Sequence, residues 1–234
     1  MDIIFLPGLL CTSEIFSYQM AHLPVGFGAV PVALSNHPRM RAIAHEILSG
    51  LTEPVILCGL SMGGIIAMEM VAQRADLIAG LILLDTNALD ESPDVSRSRD
   101  HLVGLADAEG PGIMSVKKLM RVLVHPSREK DSRFRDIVYE MAEVVGYESF
   151  EAHASALASR VDYTETLKKF SKPVKIIYGD SDQLTPEPRQ RHLASILINN
   201  SVSVIPECGH LSSLEEPQKV SDAINLWLSS IFKE

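Results

Sequence analysis

The sequence predicts an α/β protein organised around a parallel sheet. Two features carry that class: short runs of continuous apolarity, and amphipathic stretches of helical length that alternate with them. Uninterrupted apolarity marks strands covered on both faces, as helices packed on either side of a parallel sheet require. The first strand is residues 3–6, halted by Pro7-Gly8; it has no basic lead-in, is too short for a signal sequence, and reads as a buried strand. A helix over 14–22 and a strand over 29–34 follow. The same order repeats with a helix over 40–51, a strand over 55–58, a helix over 62–72 and a strand over 81–84. The alternation resumes with a strand over 174–178, a helix over 189–197, a strand over 202–205 and a helix over 218–231.

One interval breaks the pattern. From about 88 to 170 the chain carries helical segments punctuated by Gly110-Pro111-Gly112, Pro126 and Gly146, with no strand. The simplest organisation is a core of residues 1–87 and 171–234 with a helical cap insertion, 88–170, on the carboxyl edge of the sheet. Neither internal repeats nor low-complexity segments are evident.

Composition narrows the partners. Across 234 residues, 21 Lys and Arg face 30 Asp and Glu, for a formal charge of −9. That balance repels phosphate backbones and anionic lipid, so nucleic acid and membrane surfaces are not expected partners. No apolar run approaches the roughly 18 residues of a membrane span. Cys11, Cys58 and Cys208 are odd in number and far apart, without metal-ligand spacing, which fits a reduced, cytoplasmic setting.

Chemistry concentrates at strand ends. After the strand 55–58 comes Gly59-Leu60-Ser61-Met62-Gly63-Gly64 and then a helical pattern, the strand-turn-helix setting of a G-x-S-x-G nucleophile elbow. Gly59 and Gly63 supply room where strand and helix nearly touch, and the strained turn lifts the Ser61 hydroxyl clear. The bare pattern is weak, and an ordinary glycine-rich turn is its bland alternative. Context adds to it. A serine nucleophile needs a base, and His210 lies in the loop beyond the strand 202–205. The base needs an orienting acid, and Asp180 and Asp182 follow the strand 174–178, while Asp85 ends another strand as a third candidate. One of the two loop carboxylates is expected to cap the helix that follows. The order Ser, Asp, His is that of the nucleophile-elbow fold. The oxyanion needs backbone donors, for which Met62 N–H, after the nucleophile, and Leu9 N–H, in the loop Pro7-Gly8-Leu9-Leu10, are placed; glycine at 8 lets that backbone turn inward.

These stretches, with Leu83-Leu84-Asp85-Thr86 and Gly209-His210-Leu211-Ser212-Ser213-Leu214-Glu215, resemble the α/β-hydrolase superfamily nearly end to end, in particular its small cofactor-free esterase and lactonase-like members with a helical cap. The resemblance implies Ser61, Asp182 and His210 as catalytic residues, with Asp180 structural and Asp85 at a rarer acid position. Two departures stand out. The first strand begins at residue 2, which implies a trimmed sheet of about six strands, and the usual His-Gly beside the oxyanion loop is Pro7-Gly8. Serine at the elbow, where dehalogenating and epoxide-opening relatives carry aspartate, disfavours those activities.

The expected function is hydrolysis of a small or medium carboxylic ester, lactone or thioester through an acyl-enzyme. A carbon–carbon bond hydrolase and a low-turnover ligand receptor are the alternatives. The expected partner is a small-molecule, uncharged ester substrate, since no cationic cluster obviously awaits a carboxylate or a carrier-protein phosphate. Met114, Leu119, Met120 and Leu123 sit at helical spacing and read as core before pocket wall. No cofactor is implied: G-x-G-x-x-G, G-x-x-x-x-G-K and H-E-x-x-H are all missing from the sequence.

Overall fold

In the computed structural model, which describes residues 1–232, six parallel strands form one sheet in the order β2-β1-β3-β4-β5-β6. The strands are β1 (Asp2–Leu6), β2 (Gly28–Pro31), β3 (Val55–Leu60), β4 (Ile78–Leu84), β5 (Val174–Gly179) and β6 (Asn200–Ile205). Helices α1 (Ser17–Ala21), α2 (Met40–Ser49) and α3 (Met62–Arg74) belong to the first half of the winding. Between β4 and β5 lie α4 (Pro93–Glu109), α5 (Pro111–Met114), α6 (Met120–Leu123), α7 (Ser132–Ala158) and α8 (Thr164–Lys168), with a π-helical turn at Ser115–Leu119. The chain then closes with α9 (Glu187–Ile196), α10 (Ser212–Glu215) and α11 (Pro217–Ile231).

Side chains alternate across the sheet and build two cores. Ile4, Leu6, Leu57, Leu81 and Ile176 face α2, α3 and α9, whereas Ile3, Phe5, Ile56, Ile82 and Ile177 face the layer of α11 with Trp227 and Leu228. A smaller cluster of Leu10, Ala106, Met114, Ala142 and Phe150 lies within the helical segment and against the loop after β1.

Burial on both faces holds for β1, β3, β4 and β5 but not for the edges. In β2 and β6 most residues are exposed or half-buried, with Val202 and Val204 turned to solvent. β2 also stops at Pro31, short of the expected 34, although Val32 N–H still reaches Phe5 O at 3.2 Å. The expected helix over 14–22 is a 3₁₀ turn, Ser13–Phe16, followed by the short α1.

Chain winding turns in opposite directions from β1, towards β2 on one side and β3 on the other. The loops after β1 and β3 therefore diverge at the carboxyl edge and leave a crevice between them. Leu9 and Ser61 stand at the two sides of that crevice.

Candidate active site

Steric exclusion builds the Ser61 turn. Ser61 has φ 51° and ψ −113°, a conformation rarely adopted by L-residues, between β3 and α3. Its N–H bonds Leu84 O at 2.9 Å, and Thr86 Oγ1 donates to Ser61 O at 2.7 Å, so the neighbouring strand end clamps the turn from both sides. A Cβ at residue 59 would lie 2.4 Å from the Gly63 backbone, and one at residue 63 would lie 1.9 Å from Leu6 O. Gly64 is equally confined, since a Cβ there would meet Thr86 at 2.6 Å. Three glycines, one more than the motif asked for, keep the serine raised.

The loop after β1 is a tight turn in which Cys11 N–H bonds Gly8 O at 3.1 Å. Its positive φ falls on Leu10, at 59°, and not on Gly8. Gly8 serves proximity, as a Cβ there would approach Leu60 Cδ2 at 3.3 Å. The N–H groups of Leu9 and Met62 donate to no other described residue, and both residues line the same cavity as Ser61.

The structure brings Ser61, His210 and Asp182 into one hydrogen-bonded chain. Ser61 Oγ lies 2.9 Å from His210 Nε2, and His210 Nδ1 lies 2.9 Å from Asp182 Oδ2. Asp182 is fixed in turn: Oδ1 accepts from Leu184 N–H at 2.8 Å and Thr185 N–H at 3.0 Å, and Oδ2 accepts from Thr185 Oγ1 at 2.6 Å. Burial pushes the Asp182 carboxyl up, but the His210 charge and these hydrogen bonds outweigh it and hold it below the usual range. An ionised Asp182 accepts only, so Nδ1 carries the proton and the Nε2 lone pair is free to accept from Ser61 Oγ–H.

The other two acid candidates do not meet the histidine. Asp180 accepts from Cys208 N–H at 3.3 Å and from Ser181 Oγ at 2.9 Å. Neither it nor Asp182 caps α9, whose N-cap is Pro186. Asp85 is fully buried, in the left-handed region at φ 46°, and accepts from Gly179 N–H at 3.0 Å and from the hydroxyl and N–H of Ser212. Burial first, then the charge of Asp182, pushes its carboxyl well above the usual range.

His210 is held through the helical segment. Its N–H and that of Leu211 both donate to Leu123 O, at 2.9 and 3.0 Å, at the end of α6. Glu215, with a fully buried side chain, accepts from Gly209 N–H at 2.9 Å and from His125 N–H at 2.7 Å, and Arg128 Nη1 pairs with it at 3.2 Å. A Cβ at residue 209 would lie 2.5 Å from the Val124 backbone, so the histidine loop and the insertion touch main chain to main chain.

Ser61 and His210 open into a cavity of about 600 Å³. Of the methionine and leucine stripe, Leu119 and Leu123 line this cavity, whereas Met114 and Met120 pack in the cores. Among the described residues no group of three or more metal-ligating side chains occurs, and no helix is long and apolar enough to cross a membrane.

The alpha/beta hydrolase family profile matches residues 3–223. The chain belongs to the alpha/beta hydrolase family. Within it, this hydrolase is 23% identical to a pimeloyl-[acyl-carrier protein] methyl ester esterase of Aromatoleum aromaticum, over 93% of this chain and 94% of that protein. It is 26% identical to the monoacylglycerol lipase ABHD6 of Rattus norvegicus, over 80% of this chain and 58% of that one. A thermophilic esterase from Thermogutta terrifontis, solved with malate bound, superimposes with a TM-score of 0.91 at 26% identity, covering 99% of this chain and 90% of that chain. These relatives place the hydrolase among carboxylic ester hydrolases.

Two features of the site escaped the motifs. Glu215 sits inside the stretch that resembles the superfamily, five residues past His210, yet nothing local says that it grips the insertion. Arg99, Arg160 and Arg189 also line the cavity, from α4, the end of α7 and α9. They are scattered over ninety positions, so no basic run betrays them, and the sequence showed no cationic cluster obviously awaiting a carboxylate or a carrier-protein phosphate where these three arginines share one cavity.

Proposed function

We propose that this α/β hydrolase is a serine esterase that cleaves a small or medium carboxylic ester, or the corresponding lactone or thioester, through an acyl-enzyme. The observation that carries the reading is the continuous chain Ser61 Oγ–His210 Nε2 and His210 Nδ1–Asp182 Oδ2, at 2.9 Å for each link, opening into the cavity. Residues 1–87 and 171–234 act as the catalytic core, and 88–170 act as a cap whose helices shape the substrate space.

Ser61 Oγ attacks the ester carbonyl while His210 Nε2 takes its proton. The charge that develops on the carbonyl oxygen is met by the N–H groups of Leu9 and Met62, fixed donors that need no reorganisation when the oxyanion forms. His210 then returns the proton to the leaving alcohol, whose C–O bond breaks as the acyl-enzyme forms. A water, deprotonated by the same imidazole, releases the carboxylic acid and restores Ser61. Asp182 holds the imidazole in the tautomer this sequence needs and stabilises the imidazolium between the two transfers. The three unpaired cysteines fit a reducing, cytoplasmic setting.

Hydrolysis of p-nitrophenyl esters of increasing acyl length, with Ser61→Ala as the control, tests the reading. Turnover that vanishes with the hydroxyl is expected, and its optimum length sizes the acyl space. A folded Ser61→Ala protein that keeps most of the wild-type rate overturns the assignment.

A further inference from the structure

Three arginines line the cavity that Ser61 opens into, and one buried carboxylate answers two of them. Glu91, in the loop between β4 and α4, has a side chain only 2% exposed; it forms a two-pronged pair with Arg99 and lies 3.7 Å from Arg160 Nη1. Arg160, 7% exposed, also donates to Leu89 O at 3.1 Å and Asp90 O at 3.4 Å. These bonds give Arg99 and Arg160 an internal, structural purpose. Arg189 is different. Its side chain makes a single long bond, 3.4 Å from Nη1 to Asn87 Oδ1, and Asn87 lines the cavity as well. No carboxylate among the described residues pairs with it. It also lies in the first turn of α9, where the positive end of the helix dipole disfavours a cation.

The carboxylates Asp90 and Asp94 share this wall but are exposed, and Asp94 is already paired with Arg97. Inside the rim, cations therefore outnumber anions. Burial lowers the Arg160 pKa from its ordinary value; Glu91 opposes that shift, and the charges of Arg99 and Arg189 add to it. A wall left cationic in a confined space binds an anion well, and a guanidinium fork matches a carboxylate in shape.

We propose that Arg189, backed by the Arg99–Glu91–Arg160 cluster and by Asn87, forms a carboxylate-binding subsite, and that the substrates are esters or lactones carrying a second, free carboxylate away from the scissile bond. The half-ester of a short dicarboxylic acid is the simplest such molecule. This rests on the esterase reading above and replaces the uncharged ester expected from the sequence. Serine chemistry and selection of the acid end then fall to different residues of one cavity, a division that raises specificity without altering the reacting groups.

Monomethyl adipate and methyl hexanoate share a six-carbon acyl chain and differ in terminal charge, so their kcat/KM ratio reads the subsite directly. The half-ester is expected to be preferred, mainly through KM, and Arg189→Gln should lower the ratio about ten- to hundredfold, the range for losing one charge-assisted interaction. Arg189→Met repeats the test if the glutamine variant does not fold. Adipate binding to Ser61→Ala protein, with and without Arg189→Gln, supplies a readout independent of turnover. Ester turnover that depends on Ser61 but shows a ratio indifferent to both Arg189 variants overturns the subsite and leaves the esterase reading intact. Absent turnover with Arg189-dependent adipate binding breaks the esterase reading and keeps the subsite. Adipate binding that ignores Arg189 overturns the subsite in either case.

Discussion

The two partners of the proposed proton transfer are held in different ways. Ser61 is fixed by steric contact: three glycines of its own turn, at 59, 63 and 64, bring that turn against the β1 backbone and the Thr86 side chain, and it has no room to be anything else. His210 is fixed from a distance, by Leu123 O at the end of α6, by Glu215 and by an arginine that reaches in from the 3₁₀ turn after α6. The proposed nucleophile belongs to the sheet; the proposed base belongs equally to the sheet and to the insertion. Steric fixation is all-or-none, whereas fixation by hydrogen bonds can be loosened one bond at a time. Substitutions at the serine end should therefore abolish activity, and substitutions at the histidine end should grade it.

Gly63→Ala tests the abrupt end. A Cβ 1.9 Å from Leu6 O must push α3 away from β1, which costs about 3 kcal/mol or more and carries Ser61 out of reach of His210. Turnover at the level of Ser61→Ala is expected in whatever protein folds, with a lowered denaturation midpoint. More than a tenth of the wild-type rate would show that the elbow yields where the geometry says it is rigid.

At the acid, Asp182→Asn should lower kcat by about 10⁴, since an amide can present the wrong partner to Nδ1 and leave the imidazole in the unproductive tautomer. Asp180→Asn should act on the loop and on stability. Asp85→Asn separates the candidates most sharply, because Asp85 contacts Gly179 and Ser212 and not the imidazole. A kcat loss at Asp85→Asn that equals the loss at Asp182→Asn would reassign the acid.

Glu215→Gln probes the graded end. The amide keeps one acceptor where the carboxylate serves Gly209, His125 and Arg128, so about 1–3 kcal/mol of stability should go, with kcat reduced about tenfold and KM less affected. An unchanged kcat at full folding would detach the histidine loop from the insertion as far as catalysis is concerned.

The same contrast explains what could be read from the chain. Whatever local sterics dictate was legible: the elbow glycines, the order of strands and helices, and the positions of Asp182 and His210 past strand ends. The sheet interior was legible because continuous apolarity is demanded by burial on two faces, and the edges β2 and β6 departed from it because they have only one neighbour. Tertiary contacts left little trace. Leu123 O, the grip of Glu215 and the meeting of Arg99, Arg160 and Arg189 join segments far apart in sequence, and the positive φ at Leu10, where glycine at 8 was expected to make the turn, reflects a loop fitted around Leu60.

The gentlest probe is pH. Burial alone pushes His210 down, but the charge and hydrogen bond of Asp182, then the charges of Asp85 and Glu215, outweigh it and leave the imidazole above its ordinary 6.5. Asp85 is itself pushed well up, which weakens its share and leaves Asp182 dominant. Only neutral His210 can take the serine proton, so kcat/KM should fall as pH drops through a value above that of a free histidine. Glu215→Gln removes one negative charge while leaving the Asp182 bond in place; the acid limb should move to lower pH, and the variant should retain relatively more activity in mildly acidic buffer than at neutral pH. The pH profile of kcat/KM for both proteins decides it. A limb that stays put would mean that Glu215 acts on the histidine through the backbone of its loop alone, and the insertion would then hold the base in place without setting its proton affinity.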